Sequence, residues 1–491
     1  MSIPQSIGPS REAAPIAPAM GRAGVQPRTL IGLEPVGTRR RVLDRSDDRR
    51  LTVIGLGLSA VFLAVAIAAV LGEGFGPQPW LPLHLVLAGA ATVAIGAVLP
   101  YFAAALVAAP SAASGPRIAI LVLLVAGACG VTFGVSAAIP AIATGGGLLF
   151  ISGLAGLLAV TVRIFRSAPG ARRRVLTVVY AVAVVNVLVG ASIATLFVAG
   201  EGDVMAAWPR LMVAHAWLNL FGFVGLVICA SLIHLYPTVV GTRMGHDRLA
   251  VGALGSLAVA PPTVALAEVL GSDALARVGG IVMLAGTAAM VGYAVLSWRS
   301  RGHWTTDEGW HRVAITSLSA GLTWFGLGVG LAVGRIEALG SRPDSWSLTA
   351  LIAPLGVGFV IQVLIGAWTQ LLPSIGPGDF AVHARSRAIL GRFGSLRFGL
   401  LNGGAAVVLA GSLVELPEAV PAGLALAGLS VMISLALVGG ALRIGLSARA
   451  DTRPATPTGP VRPEAVTGSV RAGHARVRSA TPGNAGDRHA T

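Results

Sequence analysis

Apolar runs of about 20 residues recur along the whole of this chain, and nothing else in it constrains the fold so tightly. They fall at about 51–71, 81–108, 117–138, 143–163, 175–199, 210–236, 249–270, 276–298, 312–334, 347–372, 397–414 and 420–443. About 20 apolar residues is the length an α-helix needs to cross a hydrocarbon core roughly 30 Å thick. Lipid offers no partner to an open backbone N–H or C=O, so each run must satisfy its own backbone as a helix. The expected fold class is therefore all-α: a polytopic membrane protein of twelve transmembrane helices. Only 12% of the residues are charged, about half the roughly 25% of a soluble domain. That excludes an ordinary water-soluble enzyme. The two cysteines, Cys129 and Cys229, lie inside apolar runs and form no CxxC pair. They read as small packing residues.

The arginines orient the bundle. The net charge is +15, and no lysine occurs in the sequence, as in a GC-rich bacterial coding bias. With a cytoplasmic N-terminus, the inner loops hold Arg117; Arg163, Arg166, Arg172, Arg173 and Arg174; Arg243 and Arg248; Arg299, Arg301 and Arg312; and Arg385, Arg387, Arg392 and Arg397. The outer loops hold only Arg210, Arg277, Arg335 and Arg342, with acids such as Glu201, Asp203, Asp273, Glu337 and Asp344. A missed or added helix would scramble this split, so the positive-inside rule supports twelve spans with both termini cytoplasmic. Loop arginines of this kind answer to membrane orientation and not to nucleic acid. Residues 1–48 read as a disordered basic tail ending in Arg39, Arg40, Arg41 and Arg45, with no cleavable leader. Residues 446–491, rich in Ala, Thr, Pro, Gly and Arg, read as a second disordered tail that can touch anionic headgroups. The membrane domain lies between them, over 49–445. The expected partner is the lipid bilayer, and the expected location the bacterial cytoplasmic membrane.

Three spans share a pattern. Spans 2, 6 and 10 end on Pro100, Pro237 and Pro373, at almost equal intervals, and open with Trp80, Trp208 and Trp346. Gly222-Phe223-Val224 precedes Pro237 as Gly358-Phe359-Val360 precedes Pro373, so that His234 corresponds to Gln370. Repeats of this kind predict three related four-helix units, about 51–165, 175–298 and 312–443, around a pseudo-three-fold axis. Gly326, Gly330 and Gly334 in span 9 form a small-residue row that suits close helix packing.

Ionisable groups inside the membrane are costly and tend to be functional. Here they are His84, His215, His234 and Glu268, with Asn186, Asn219, Gln362, Gln370 and Asn402 as neutral polar groups. His84 and His215 both stand in the outer halves of spans that run inward. His215, Asn219 and Gly222 fall at i, i+4 and i+7 on one helix face, where the glycine leaves room for a flat ligand or a neighbouring helix. A neutral imidazole is a good haem or copper ligand; it is equally a side chain bonded to a nearby carbonyl or amide. His234 lies about 28 Å along the helix from His215 at 1.5 Å per residue, so the two share no site, and His234 reads as interfacial. Glu268, after Pro261 and Pro262, is expected to snorkel to the outer surface, with a proton path as the sharper reading. The two prolines are expected to kink or interrupt span 7. His246, His303, His311 and His383 lie among inner-loop arginines and read as solvated. No HExxH, P-loop or Ser/His/Asp order is present.

The segment from His215-Ala-Trp217-Leu-Asn219 through Gly222-Phe-Val to His234-Leu-Tyr-Pro237 resembles the His-rich span of NnrS-type haem/copper membrane proteins. More broadly it resembles subunit I of the haem-copper oxidase superfamily, and it is similar to actinobacterial proteins of the "copper oxidase" type. The segments His84-Leu-Val-Leu-Ala-Gly89 and Gly358-Phe-Val-Ile-Gln362-Val-Leu-Ile-Gly366 fit the same group. The resemblance implies a twelve-span three-fold fold over 51–443, with haem b or copper as cofactor and a redox partner protein. It places His84 as a haem ligand near the outer face and His215 as a copper ligand, making these two the candidate metal residues. Asn219 and Gln362 join them as candidate cofactor-binding residues. This sequence departs from the group in span 7, which lacks a His pair. It departs in span 10, which offers Gln362 and Gln370 but no His, and at Trp217, where a second His is often found. A complete oxygen-reducing centre is therefore not expected. A transporter or channel and a cofactor-free membrane scaffold are the other two classes the sequence admits; Pro261-Pro262 is the one clear candidate for a transporter's broken helix.

Overall fold

A computed structural model describes residues 46–72, 80–167, 174–301, 309–376, 379–416 and 418–451. Of the tails expected at 1–48 and 446–491, residues 46–48 and 446–451 are helical; the rest of both tails, the loops around Glu73 and Arg172, and His303 lie outside the described residues. Among the described residues, twelve helices are long and apolar enough to cross a membrane. These are α1 (Ser46–Leu71), α2 (Trp80–Leu106), α3 (Ser114–Ser136), α4 (Pro140–Arg166), α5 (Arg174–Val198), α6 (Gly202–Val240), α7 (Asp247–Leu270), α8 (Asp273–Arg299), α9 (Gly309–Leu339), α10 (Pro343–Ile375), α12 (Gly394–Leu413) and α13 (Ala419–Asp451). The expected apolar runs match them, and most helices extend a few residues beyond the run. Helical hydrogen bonding continues past the point where hydropathy fades. A further helix, α11 (Phe380–Leu390), had no apolar signal; Asp379 caps it by accepting from the Val382 backbone N–H at 2.9 Å.

The packing repeats in three sets of four. In each set the third and fourth spans form a tight antiparallel pair: α3 with α4, α7 with α8, α12 with α13. Glycines set the distance in every pair. A Cβ on Gly127 would fall 2.5 Å from the Phe150 backbone nitrogen, one on Gly286 3.0 Å from Leu257 N, and one on Gly423 2.6 Å from the Gly404 carbonyl. Small residues let backbones approach, which is the main source of attraction between helices in lipid. The second span of each set packs against the other three. The fourth touches the first span of the next set, and α13 closes on α1.

The second spans α2, α6 and α10 occupy the centre. Some 67%, 78% and 72% of their apolar stretches are buried inside the protein, against 33–56% for the others. Each carries a π-helical segment: Leu85–Ala91, Trp217–Gly225 and Ile352–Ile361. A π segment releases backbone groups from their usual partners. Hydroxyl and amide groups capture some of them. Ser59 on α1 donates to the Ala90 carbonyl (2.7 Å), Thr92 to Leu87 (2.8 Å), and Asn186 on α5 to Gly222 (3.0 Å).

Several expectations are corrected. Gly326, Gly330 and Gly334 do not pack a helix within the bundle: a Cβ at any of them would meet nothing within 4 Å. The row faces outward. Helix α7 is not interrupted at Pro261 and Pro262: it runs from Asp247 to Leu270, packed against α6 and α8. Cys229 is buried, but Cys129 is exposed on the surface of α3. Two of the arginines assigned to inner loops are structural. Arg117 is 2% exposed and pairs with Asp48, with a second bond to the Ala97 carbonyl at 3.1 Å. Arg397 donates to Ser434 Oγ (2.9 Å) and the Leu390 carbonyl (2.9 Å). Together they tie α1, α2 and α3, and α12 and α13, at the arginine-rich end.

Candidate functional site

The two histidines expected to act together do stand together. His84 is the last residue before the π segment of α2, and His215 lies two residues before that of α6. Their ring centroids are 6.4 Å apart and their planes 20° from parallel. Both are part-buried near the acidic end of the bundle. His84 Nδ1 donates to the Trp80 carbonyl one turn earlier (2.7 Å). His215 Nδ1 donates to the Gly190 carbonyl on α5 (2.9 Å). In each ring the same nitrogen is tied to the main chain, which fixes the tautomer and leaves Nε2 with the lone pair.

Aromatic rings flank the pair. Trp80 stacks on His84 at 4.2 Å, Trp208 lies 6.3 Å from His215, and Phe197 stacks on Trp208 at 3.8 Å. Asn219 sits one turn after His215, with its amide Nδ2 3.2 Å from His215 Nε2. It is 2.9 Å from Nδ1 as well, so the amide lies across the ring beside both nitrogens and covers the approach to Nε2. Gly190 makes room for this amide: a Cβ there would fall 2.8 Å from Asn219 Cγ. Gly222 likewise makes room for Asn186 of the neighbouring helix, where a Cβ would lie 2.8 Å from its Nδ2. Of the two uses the sequence allowed for Gly222, the neighbouring helix is the one realised.

The remaining candidates are elsewhere. Gln362 is 1% exposed on α10, and neither amide atom has a hydrogen-bond partner; no bond or ring contact joins it to the histidines. Glu268 does not snorkel: it is fully buried, with both carboxyl oxygens unpartnered. Arg210 comes no closer to it in hydrogen bonding than its backbone carbonyl, at 3.3 Å. Packing of α6 and of the turn after α9 covers the end of α7 that was expected to reach water. His234 Nδ1 lies 2.7 Å from Met244 Sδ. His311 and His383 are not merely solvated; they bond the Val239 and Gly376 carbonyls (2.7 and 3.2 Å). Sequence reasoning missed the three π segments, whose only signal was the shared Trp-to-Pro pattern of their spans.

The geometry sorts the implied cofactors. On the α6, α9 and α10 side a porphyrin would meet buried rings. Trp217, at the position where a second His is often found, is 1% exposed and packs on Phe221 (4.5 Å). Phe325 packs on Phe359 at 4.6 Å. These four buried rings fill the interior between α6, α9 and α10 at the level of the π segments. Asn219 and Trp80 cover the histidines themselves. A single metal ion is compatible with the donors: two neutral imidazoles, each held through Nδ1. Among the described residues no third His, Cys, Asp or Glu joins them. A closed tetrahedral zinc site needs four ligands, whereas copper accepts a smaller imidazole set.

Comparison with known proteins bears on the fold. The chain is similar to that of a haem-copper terminal oxidase, solved as a dimer by cryo-EM. The TM-score is 0.57, with 83% of this chain and 84% of that chain covered, at 12% identity. The fold is oxidase subunit I-like. At 12% identity the likeness speaks for the fold alone. No protein-family model matches the sequence, and no curated protein is similar to it. For the transporter reading, the uninterrupted α7 removes the broken helix that had been its candidate, and the π segments recur in thirds and not in halves.

Proposed function

We propose that this protein is a copper-binding membrane protein built on the oxidase subunit I-like fold. It lies in the bacterial cytoplasmic membrane with both termini inside. One copper ion is held by Nε2 of His84 and Nε2 of His215. No haem and no complete oxygen-reducing centre accompany it. What carries the reading is the convergence of two imidazoles from different central spans, each with Nδ1 committed to a main-chain carbonyl.

The chain's own groups prepare the site. The Trp80 and Gly190 carbonyls hold the ring tautomers, and Trp80, Trp208 and Phe197 limit access of water. Asn219 covers the His215 ring when no metal is present and turns aside to admit one. Bound copper supplies a one-electron couple, which a redox partner protein in respiratory, nitrogen oxide or copper metabolism would use. Gln362 makes no hydrogen bond to either histidine and is assigned no role in holding the ion.

Purified full-length protein should bind close to one copper per chain. The His84→Ala and His215→Ala variants should each lose it, and no Soret band should appear in the optical spectrum. Substoichiometric copper in the wild type after loading under reducing conditions refutes the copper site. A Soret band that vanishes in His84→Ala restores haem in its place.

A further inference from the structure

The outward face of α4 carries an open groove of about 540 Å³, lined by Ala155, Leu158, Ala159, Val162, Arg163 and Arg166. These residues form two neighbouring rows at a spacing of four, Ala155-Ala159-Arg163 and Leu158-Val162-Arg166. Side chains four apart stand one above the other on a helix. Each row is therefore an apolar track that ends in a guanidinium at the arginine-rich end of the bundle. The two alanines form the floor of one track, and the longer Leu158 and Val162 form the wall beside it.

The length of the groove is that of one leaflet. Arg166 lies eleven residues after Ala155, roughly 16 Å along the helix at 1.5 Å per residue, about half of a hydrocarbon core roughly 30 Å thick. Ala155, Ala159, Arg163 and Arg166 are all exposed, so in a bilayer the apolar part of the groove meets acyl chains and the arginines meet headgroups. Arg163 and Arg166 are three residues apart. Positions so spaced have Cβ atoms about 5–6 Å apart, near enough for two guanidiniums to share one phosphate. Among the described residues neither forms an ion pair, and α4 contains no acidic residue. Arg117 and Arg397 differ in this respect, being already engaged by Asp48 and by Ser434 and the Leu390 carbonyl. The negative end of the helix dipole favours cations in the last turn of α4, but it does not require both of them to stand at the ends of adjacent apolar rows.

We propose that this groove binds one anionic phospholipid of the cytoplasmic leaflet. Its phosphate is held between Arg163 and Arg166, and an acyl chain lies along Ala155, Leu158, Ala159 and Val162. Two guanidiniums without a carboxylate complement a headgroup that carries no cation of its own. A zwitterionic lipid would bring its ammonium group to the same two positive charges. The inference stands apart from the copper site and does not depend on it.

The test uses the full-length protein in phosphatidylcholine nanodiscs, in a background lacking Cys129 and Cys229. A bimane attached through Ser152→Cys, exposed three residues before Ala155, reads the groove locally. Phosphatidylglycerol with a nitroxide on its acyl chain should quench the bimane and saturate. Nitroxide-labelled phosphatidylcholine should quench only in proportion to its mole fraction. The preference should be about thirtyfold, from the two arginines together, and Arg163→Gln with Arg166→Gln should erase it. Arg243→Gln with Arg248→Gln, exposed arginines of another inner loop, should leave it intact. Ala155→Phe with Ala159→Phe fills the apolar tracks and should abolish the saturable quenching with helix content retained; Ala159→Leu alone takes its place if that variant does not fold. The proposal is overturned by equal quenching from the two lipids, or by a preference that survives Arg163→Gln with Arg166→Gln or is lost as fully in the Arg243 and Arg248 variant. It is also overturned by saturable quenching that persists in the filled variants, by displacement of the lipid with inorganic phosphate, or by a disulfide between two copies through the Ser152→Cys thiol, which would place a second copy in the groove.

Discussion

Removing Asn219 should tighten copper binding, although the residue touches the site. Its amide Nδ2 lies 2.9 Å from His215 Nδ1 and 3.2 Å from Nε2, beside the atom that a metal requires. An ion that binds there must first displace this amide, at a cost on the order of one hydrogen bond, about 0.5–1.5 kcal/mol. In Asn219→Ala the competitor is gone, while the Nδ1 bond to the Gly190 carbonyl at 2.9 Å still holds the ring. The dissociation constant for copper should fall about two- to tenfold, at 1.4 kcal/mol per decade. The measurement is a titration of the full-length protein in nanodiscs with copper(I), buffered by a chromophoric chelator. The variant also leaves a small void beside Gly190, so its melting temperature should drop. Stability and affinity thus move in opposite directions, which a merely damaged fold does not produce. Weaker or unchanged copper binding in Asn219→Ala would refute the reasoning, because it would mean that the amide presents the imidazole and does not compete with the metal.

Other perturbations bear on the frame. Arg117→Met should cost about 3–5 kcal/mol, since it strands Asp48, 5% exposed, without its partner; Arg117→Met with Asp48→Leu should recover most of that in a thermal melt. Gly127→Ala should destabilise by about 1–3 kcal/mol because the new Cβ meets the Phe150 backbone at 2.5 Å. Gly330→Ala, with nothing within 4 Å, should stay within about 0.5 kcal/mol, and a cost like that of Gly127→Ala would mean that the outward row is covered by a partner. For orientation, a cysteine at Ser272 should react with an impermeant maleimide on intact cells and one at Ser167 only after lysis, in a background lacking Cys129 and Cys229; the reverse pattern inverts the bundle.

The spans were legible because lipid imposes a single rule on every segment: twenty apolar residues and a closed backbone. The three-part plan showed through for a related reason. The second span of each set is two-thirds or more buried, so its interfacial Trp and terminal Pro are held in place, whereas outer spans such as α3 and α13 are 39% and 33% buried and less constrained. The proximity of His84 and His215 was legible from depth alone. What surrounds them was not. Nothing local marks the Gly190 carbonyl as the acceptor of the His215 Nδ1–H, since it lies 25 residues away on another helix. Arg117 and Arg397 looked like loop charges because a guanidinium at a helix end reads the same whether water or Asp48 receives it. Glu268 misled in the other direction: its position near the end of α7 suggested an open route to water, which packing of α6 and of the turn after α9 closes.

The π segments explain how one central set of helices can carry two unlike levels. A π segment holds an extra residue in a turn, so the face presented after it is rotated from the face presented before it. In α2 and α6 the residues before the segment, His84 and His215, meet each other and α5. The residues after it, such as Ala94 and Leu232, turn toward α10 and line a half-open apolar cavity between α1, α2, α5, α6 and α10. A plain α-helix with 3.6 residues per turn would carry one stripe through both levels, and a polar stripe would run into the cavity. Deleting one residue from a π segment, Leu87 for example, should therefore do more than destabilise α2. It should rotate the lower half of the helix and carry Ala94 off the cavity wall, so that the melting temperature falls while copper binding by the histidine pair, anchored above by Trp80 and Gly190, persists; loss of both together would refute the rotation.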